Sequence, residues 1–382
     1  LKMKGTFTIV GAGIAGLTTA IALKQRGIDT VIFEAAPEIK SIGAGVALAA
    51  NAIKALQKIG IAGDVIKAGS LLPSFTIYDA NGKIINTTDS TSLGEKYGLD
   101  NLTIHRAALH EVLLSKINPK HIHTGKRLTD IEQKEDCVVL YFEDGSMHTA
   151  GYLIAADGIH SAVRQKILPA AIPRYAGYTC WRAVIDNRLF NLNETSETWG
   201  RRGRFGLVPL KENKLYWFAC INAPQEDKRM KYFTTGDLYR HFANFHYPVP
   251  QVLNATQNEQ LVWNDIIDLK PVSRYAFGNI LLIGDAAHAT TPNLGQGACQ
   301  AIEDAVILAD ELVQHADAVP AFRNFEKRRI KRTHDIVNVS WKIGKMAQLE
   351  NPFLAGVRNF ILRSLPAKVN ERQLRKLYEV DF

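Results

Sequence analysis

The chain has 382 residues, of which 46% are hydrophobic and 22% are charged. These proportions are typical of a globular protein with a large core and exclude a disordered, collagen-like or coiled-coil chain. At roughly 150 residues per domain, the length predicts two or three structural units. The net charge of +8 favours anionic ligands without requiring nucleic acid.

The four cysteines are too widely spaced to suggest a zinc ribbon or a disulfide framework. They are Cys137, Cys180, Cys220 and Cys299, and none belongs to a CxxC pair. Because reduced, scattered cysteines are typical of a reducing compartment, we expect a cytoplasmic protein.

A βαβ unit opens the chain. Residues 7–10 and 30–34 have the apolar pattern of buried strands, and residues 14–26 have that of a helix. The uncharged run over residues 5–23 is long enough to resemble a membrane span, but its glycines fall between strand and helix and argue against one. The unit predicts the start of a doubly wound sheet.

The turn between that first strand and helix is a glycine-rich phosphate motif. Gly11 allows the tight turn, Gly13 lets a pyrophosphate approach the backbone, and Gly16 lets helix and strand pack closely. Glu34 ends the next strand, 23 residues after Gly11, where it would accept hydrogen bonds from a ribose. We therefore predict a dinucleotide site that comprises Gly11, Ala12, Gly13, Ile14, Ala15, Gly16 and Glu34.

Further along the chain the predicted secondary structure changes from mixed α/β to β-rich, and then to mainly helical. Helices are predicted near residues 51–59 and 107–116, and strands over 137–143 and 152–155 flank an Asp144-Gly145 turn. Short aromatic strands then follow from about 178 to 269. A fully apolar strand over 280–283 returns the chain to the first domain, and the pattern after 318 is mostly helical. We expect its apolar stretch, residues 352–365, to pack in the core, and docking on a partner or a membrane is the alternative.

Two downstream segments place aspartate and glycine residues directly after predicted strands. The first runs from Asp157-Gly158 to Arg164, where Ser161 could alternatively cap a plain strand-to-helix turn. The second contains Gly284-Asp285 and, behind it, Pro292 and the Gly295-Gln296-Gly297-Ala298 segment.

With these motifs the chain resembles the FAD-dependent aromatic hydroxylases, the single-component flavoprotein monooxygenases of the para-hydroxybenzoate hydroxylase type. The resemblance implies that Asp285 bonds the ribityl chain and that Asp157 supports FAD and nicotinamide use. It places Pro292 beside the reactive flavin edge. It also implies that Gly295, Gln296, Gly297 and Ala298 present a helix start to the flavin pyrimidine, where the helix dipole would stabilise the negative charge of reduced flavin.

Other positions match the family less completely. Arg106 corresponds to the arginine at the start of a helix that lies along the flavin, although an exposed arginine of no special function is the alternative. Leu128 is placed only by register, as a backbone contact to adenine. Lys40 stands where many relatives carry an arginine.

The predicted fold class is α/β, with a Rossmann-like FAD-binding domain, an inserted β-sheet substrate domain and a helical C-terminal region. The predicted boundaries assign residues 1–175 and 273–318 to the FAD-binding domain. Residues 176–272 form the substrate domain and residues 319–382 form the helical region.

Two side chains are candidates for catalysis or substrate contact. Strand alternation puts Arg204 on one face with Gly206 and Val208, and Tyr216 on one face with Phe218 and Cys220, but it does not say which face looks inward. Arg204 and Tyr216 resemble, by position and type, the substrate-facing arginine and tyrosine of bacterial urate hydroxylases in this family. Cross-strand packing is the alternative.

The resemblance implies a monooxygenase reaction. NADH or NADPH would reduce FAD, and O2 would add to give a flavin C4a-hydroperoxide that hydroxylates a planar aromatic or heteroaromatic substrate. One alternative is an FAD-binding protein or flavin reductase without hydroxylation, and another is a membrane-associated quinone-biosynthesis hydroxylase. The sequence shows no metal-ligand pattern. We expect no nucleic-acid partner, no membrane contact, and a monomer or homodimer.

Overall fold

A mainly parallel sheet carries the motifs at its carboxyl edge. The computed structural model describes residues 6–39, 44–89, 101–366 and 375–382. Six of the described strands form this sheet, in the spatial order β18 (Ala276–Phe277), β19 (Ile280–Leu282), β12 (Tyr152–Ala155), β1 (Phe7–Val10), β2 (Thr30–Phe33) and β8 (Ile122–His123). The pairs are parallel except β18 with β19. Their continuous apolar runs fit a sheet that is covered on both faces.

Two helices pack against each other beside this sheet. Helix α1 (Ile14–Gln25) follows β1, and the later helix α10 (Gly297–Gln314) lies along it. A side chain at Gly284, directly after β19, would meet Cβ of Ala15 at 2.8 Å and Cβ of Ala301 at 3.6 Å. The ends of β1 and β19 and the first turns of both helices therefore converge.

A small antiparallel sheet corrects one sequence prediction. It contains β9 (Leu128–Gln133), β10 (Val138–Phe142) and β11 (Met147–Ala150). The Asp144-Gly145 turn joins β10 to β11, whereas the sequence analysis joined it to the strand over 152–155. The pattern missed β11 because its four residues, Met-His-Thr-Ala, carry little apolar signal.

A large sheet of seven described strands forms the second layer. In spatial order they are β17 (Val262–Leu269), β13 (Pro173–Asp186), β16 (Lys214–Asn222), β15 (Gly203–Leu210), β14 (Thr195–Gly200), β5 (Ser74–Asp79) and β6 (Ile84–Asp89). β5 pairs parallel with β14. The predicted substrate domain, residues 176–272, therefore omits one edge of its sheet, because a local pattern cannot show that a hairpin pairs with strands more than a hundred residues away.

Short helices cover the outer face of the large sheet. They are α6 (Lys228–Lys231), α7 (Thr235–Phe242) and α8 (Val249–Asn254). Leu238 and Phe242 of α7 and Val252 of α8 pack with the buried rings of Trp181 and Trp217. The sequence pattern indicated a β-rich segment and did not identify these helices.

A third sheet lies between the two layers. It consists of β3 (Gly45–Leu48), β7 (Leu102–His105) and β4 (Ser70–Leu71), and it is flanked by α2 (Ala50–Lys58), α3 (Ala62–Ala68) and α4 (Arg106–Leu114). The Thr103 hydroxyl donates to the Pro209 carbonyl oxygen at 2.9 Å, so this sheet contacts the large sheet directly.

The remaining helices complete the predicted α/β fold class, which the strand order confirms. They are α5 (Ala162–Ile167), α9 (Asp285–His288), α11 (Ala318–Ala347) and α12 (Pro352–Ser364). The expectation that residues 352–365 pack in the core is wrong for most of α12, since Phe353 and Phe360 are exposed. None of the described helices is both long and apolar enough to cross a membrane.

Candidate active site

The glycine motif packs its backbone against the neighbouring strand. Gly11 has φ +102°, and a side chain there would lie 2.3 Å from the Ala156 carbonyl oxygen. A side chain at Gly16 would lie 1.9 Å from the carbonyl oxygen of Gly11. Above Gly13, in contrast, no described atom lies within 4 Å of the Cβ position. The loop is closed on the protein side and open on the other side, at the start of α1, where Ile14 and Ala15 form the first turn.

Glu34 is tied to this loop. Its Oε2 accepts the N–H of Ala12 at 2.7 Å and its Oε1 accepts the N–H of Ala36 at 2.8 Å. Each oxygen retains a second lone pair. Leu128, a buried residue at the start of β9, lies two residues after Lys126, whose N–H donates to the Glu34 carbonyl oxygen at 2.8 Å.

A buried arginine joins the two downstream motifs. Arg164 donates to the carbonyl oxygens of Ile159, Ala171 and Ala286, the last at 3.1 Å. It therefore fixes the Asp157 loop to the Asp285 loop. The Ser161 hydroxyl caps α5 by accepting the Arg164 N–H at 2.9 Å, so the capped turn that was considered as an alternative is present.

The two aspartates face different surroundings. Burial raises the pKa of Asp157, although hydrogen bonds from Ser161 and the N–H of Val163 oppose the shift. Its Oδ1 is buried and has no hydrogen-bond partner among the described residues. The Asp285 side chain is exposed in part, although protein surrounds the rest of it. This enclosure raises its pKa, and His288, Arg106 and Arg164 oppose the increase.

Arg106 begins α4 and lies near Asp285. Its N–H donates to the Ala44 carbonyl oxygen at 2.8 Å, and its side chain is exposed. Its influence on the Asp285 pKa shows that the two side chains lie near each other. Lys40 lies outside the described residues.

The start of α10 is open and well supported. Gly295 adopts the left-handed region, with φ +61°, after the 3₁₀ turn Pro292–Leu294. The Gln296 side-chain oxygen accepts from Asn51 at 3.1 Å and from Gln300 at 3.0 Å. Gly297 and Ala298 begin the helix, so their N–H groups have no intrahelical acceptor.

The inward face of the large sheet is the one that carries Arg204 and Tyr216. Trp181, Phe205 and Trp217, on the opposite face, pack against α7 and α8. Arg204 pairs with Cys220 and Val208 pairs with Tyr216 in the ladder. The structure thus puts Arg204 and Tyr216 on one face but separates them by four residues, about 13 Å along the strand.

Arg204 is the centre of a buried polar network. It donates to Glu197 Oε1 at 3.1 Å and to Oδ1 of Asn293, and it lies 5.1 Å from the ring centre of Tyr178. Asn293 in turn donates to the Ser340 carbonyl oxygen at 2.9 Å. The Nε of Arg204 is buried without a hydrogen-bond partner in the described part of the chain.

Tyr216 lies against β3. A side chain at Gly45 would lie 2.5 Å from Cδ1 of Tyr216, so the glycine makes room for this ring. Burial raises the pKa of Tyr216, and Arg182 opposes the increase. Arg182 pairs with Phe218 in the ladder and so lies on the same inward face.

Two buried cysteines lie next to each other on this face. Cys180 and Cys220 are cross-strand neighbours. Burial raises the pKa of Cys180, but the contact with Cys220 and the charges of Arg182 and Arg204 outweigh it and lower the value to about 6. Arg182 and Arg204 therefore place positive charge beside Cys180 on the inward face.

Comparisons with known proteins agree with this geometry. The sequence model of the FAD binding domain family matches residues 5–340. The chain belongs to the FAD-dependent aromatic hydroxylases. It is 36% identical to the aurachin C monooxygenase/isomerase of Stigmatella aurantiaca over 99% of each chain.

Two further relatives of this hydroxylase cover almost the whole chain. The 2-heptyl-3-hydroxy-4(1H)-quinolone synthase of Pseudomonas aeruginosa is 33% identical over 98% of this chain and 97% of its own length. Klebsiella pneumoniae HpxO, solved with FAD and uric acid, superposes with a TM-score of 0.90 at 31% identity and covers 97% of this chain and 96% of its own.

The residues of the hydroxylase fit FAD. The space above Gly13 is open, which a diphosphate requires, and the buried Oδ1 of Asp157 still has hydrogen-bonding capacity at the cleft. The start of α10 offers unsatisfied N–H groups beside β3, where a side chain at Gly295 would be 3.6 Å from Ala47. These are the features that a large, anionic, hydrogen-bonding cofactor needs.

Sequence reasoning missed several residues of the hydroxylase site. Asn293, Tyr178 and Glu197 complete the Arg204 network, and His110 contacts the Ala12 carbonyl oxygen at 2.7 Å. Two of these residues could have been found from the sequence. Asn293 directly follows Pro292, and His110 lies one turn after Arg106 on the same helical face. Glu197 and Tyr178 become visible only when the strands are paired.

Proposed function

We propose that this hydroxylase uses NADH or NADPH and O2 to insert one oxygen atom into a planar aromatic or heteroaromatic substrate. In balanced form, RH + O2 + NAD(P)H + H⁺ gives ROH + NAD(P)⁺ + H2O. Bound FAD would supply the redox chemistry, through the C4a-hydroperoxide that the family resemblance implies. The observation that carries the proposal is that Asn293, the residue after Pro292 at the cofactor cleft, is hydrogen-bonded to Arg204 of the inward sheet face.

The cofactor roles follow from the positions of the motifs. The loop of Gly11–Gly16 would hold the diphosphate, Glu34 the adenosine ribose, and Asp285 the ribityl chain. Arg106 would balance the negative charge of the diphosphate. The N–H groups at the start of α10 would stabilise negative charge on the flavin pyrimidine.

The substrate would lie between the inward sheet face and the flavin. Phe218 and Tyr216 offer ring surfaces, and Arg182 and Arg204 supply positive charge. Such a face suits a planar ring with a carbonyl oxygen or a deprotonated nitrogen or oxygen. We propose a fused bicyclic nitrogen heteroaromatic, with the 4-quinolone as the first candidate, because two relatives that span 97–99% of their own length carry quinolone or aurachin names.

The protein itself would position the substrate and exclude water from the site. His288 is buried, and its Nε2 lies 2.7 Å from Oδ2 of Asp304, a residue that is also ion-paired with Arg329, so we assign it a structural role. Asn293 is fixed by Arg204, Ser340 and Thr291. It would define the edge of the pocket next to Pro292.

Anaerobic stopped-flow reduction of the FAD-loaded protein by NADH and by NADPH tests the proposal. The ligand panel contains 4-quinolones with and without a 2-alkyl chain, urate, hydroxybenzoates and simple phenols. A ring ligand should accelerate flavin bleaching, and its aerobic product should gain one ¹⁸O atom from ¹⁸O2.

Two results would contradict the proposal. If no FAD can be bound, the cofactor assignment is wrong. If NAD(P)H is consumed but every panel member is recovered unchanged with stoichiometric H2O2, the protein is a flavin reductase rather than a hydroxylase.

A further inference from the structure

Helix α12 presents an exposed apolar stripe. Five large apolar residues of this 13-residue helix are exposed, with Phe353 at 76% and Phe360 at 71%. The other three are Leu354, Val357 and Ile361, and the five lie at spacings of one, four, seven and eight residues from Phe353. This spacing places them on one face of the helix.

The opposite face of α12 is held rigidly to the protein. Arg358 is buried, donates to the carbonyl oxygens of Met346 and Ala347, and lies 5.0 Å from the ring centre of Trp199. Arg363 pairs with Asp79 at 2.6 Å and donates to the Ile84 carbonyl oxygen at 2.9 Å. The stripe is therefore a fixed feature, because buried anchors orient it outward.

Exposed basic side chains lie close in sequence to the residues that anchor α12. Exposed Arg201 and Arg202 follow Trp199, the residue under Arg358, and exposed Lys83 precedes Ile84, the residue that binds Arg363. Asp79 is neutralised by its ion pair with Arg363, and Glu350 accepts a hydrogen bond from Asn222. The named side chains near the anchors therefore carry more positive than negative charge, which complements a negatively charged surface.

The size of the stripe argues against a second copy of this chain as its occupant. One face of a 13-residue helix has a flat footprint of about 20 Å by 10 Å, so a dimer interface would need further surface beside α12. A stable dimer buries about 800 Å² on each partner. A lipid bilayer has no such requirement, since it accepts a narrow apolar stripe with basic flanks at its headgroup boundary.

We propose that the α12 stripe docks on an anionic lipid surface, with Phe353 and Phe360 inserted among the acyl chains and the basic residues near the anchors at the headgroups. The docking would be peripheral. Trp199, which Arg358 covers, is the cross-strand partner of Arg204, so the lipid surface would lie next to the sheet face that carries the candidate substrate residues. The proposal stands on α12 and does not depend on the proposed reaction.

Vesicle flotation of the FAD-loaded protein tests this docking. The vesicles contain two parts phosphatidylcholine to one part phosphatidylglycerol, and the variant is the Phe353→Ser, Phe360→Ser double substitution. We expect the wild type to float with the vesicles. The affinity of the variant for the vesicles should be lower by a factor of about ten or more. Binding should also fall at about 1 M NaCl, where the Debye length is about 3 Å. Leu189→Ser removes an equally exposed apolar side chain outside α12 and should leave binding unchanged.

Three outcomes would overturn the proposal. The wild type could fail to float, or the double variant could bind as well as the wild type. Thirdly, sedimentation velocity could show a dimer that the double substitution abolishes while neither protein binds vesicles, which would make the stripe an interface between copies. Equal FAD content and equal melting temperatures for all three proteins exclude misfolding as the cause.

Discussion

Arg204 and Asn293 join the two layers of the molecule, because the guanidinium on β15 donates to Oδ1 of the asparagine that follows Pro292. We expect Arg204→Gln to lower kcat/KM for the ring substrate about 10- to 100-fold while FAD is retained. The reason is that a misplacement of about 1 Å in a site can cost about 10²-fold in rate.

A second variant separates this effect from loss of folding. Glu197 is buried and would lose its ion-pair partner, which costs about 3–5 kcal/mol in comparable pairs. The double variant Arg204→Gln, Glu197→Gln removes that isolated charge. If the double variant is as stable as the wild type and turns over at the wild-type rate, Arg204 has no role in the substrate site.

Two glycines of the phosphate loop should respond to alanine in opposite ways. Gly13 has φ −77° and open space above it, so Gly13→Ala should stabilise the apoprotein by about 0.4–1 kcal/mol yet weaken FAD binding. Gly11→Ala should destabilise the fold itself by about 1–3 kcal/mol, because its φ is +102° and its Cβ would meet the Ala156 carbonyl. Urea unfolding of both apoproteins and FAD titration by fluorescence quenching check this. Unchanged FAD affinity in Gly13→Ala would place the diphosphate elsewhere.

Asp285→Ala should lower FAD retention. A hydrogen bond to a charged group contributes about 1.5–3 kcal/mol, which corresponds to a 10- to 150-fold increase in the Kd for FAD. The measurement is the ratio of flavin to protein absorbance after gel filtration, followed by reconstitution. Wild-type FAD content in this variant would refute the assignment of Asp285 to the ribityl chain.

Gly45→Ala should disturb turnover through Tyr216. The new Cβ would lie 2.5 Å from the tyrosine ring, so the ring must move, and we expect kcat/KM to fall about 10- to 100-fold. Gly63→Ala is the matched control, since no described atom lies within 4 Å of the Cβ position at Gly63. If both variants turn over equally, the position of Tyr216 does not matter to the reaction.

Arg329 should be a major source of stability. It is buried with Glu303 and Asp304, at 2.5 and 2.7 Å, and Arg329→Met would leave both carboxylates short of a cation, at a cost of about 3–5 kcal/mol. Lys331, two residues after Arg329 on α11, forms an exposed ion pair with Asp335. Lys331→Met breaks this pair and should lower the free energy of unfolding by at most about 1 kcal/mol.

The pH dependence of these variants follows from the same network. Burial would raise the pKa values of Glu303 and Asp304, but the arginines and His288 outweigh it and lower both. In the wild type the carboxylates therefore stabilise the fold above pH 4–5, and this contribution is lost as the pH falls through their lowered pKa values. In Arg329→Met burial dominates, so the destabilisation measured by urea unfolding should be larger at pH 7 than at pH 4.5. An equal loss at both values would contradict this account.

The convergence of the candidate cofactor residues could be predicted from the sequence because these residues follow strand ends in short, fixed spacings. Gly11, Glu34, Asp157 and Asp285 lie at the same edge of the sheet, as parallel strands require. The substrate half could not be predicted in the same way. Arg204 faces inward because α7 and α8 cover the opposite side of the large sheet. Strand alternation shows which residues share a face but does not show which face the helices cover. Its partners Glu197 and Asn293 come from a neighbouring strand and a distant turn.

The parallel pairing of β5 with β14 and of β12 with β19 has a consequence for biosynthesis. The phosphate loop at Gly11 leaves the ribosome more than two hundred residues before the strand that presents Asp285. Until then the N-terminal segment exposes unpaired strand edges, which are prone to aggregation. The complete cofactor site can therefore form only after the strand that precedes Asp285 has been made, and the strand edges stay exposed until then.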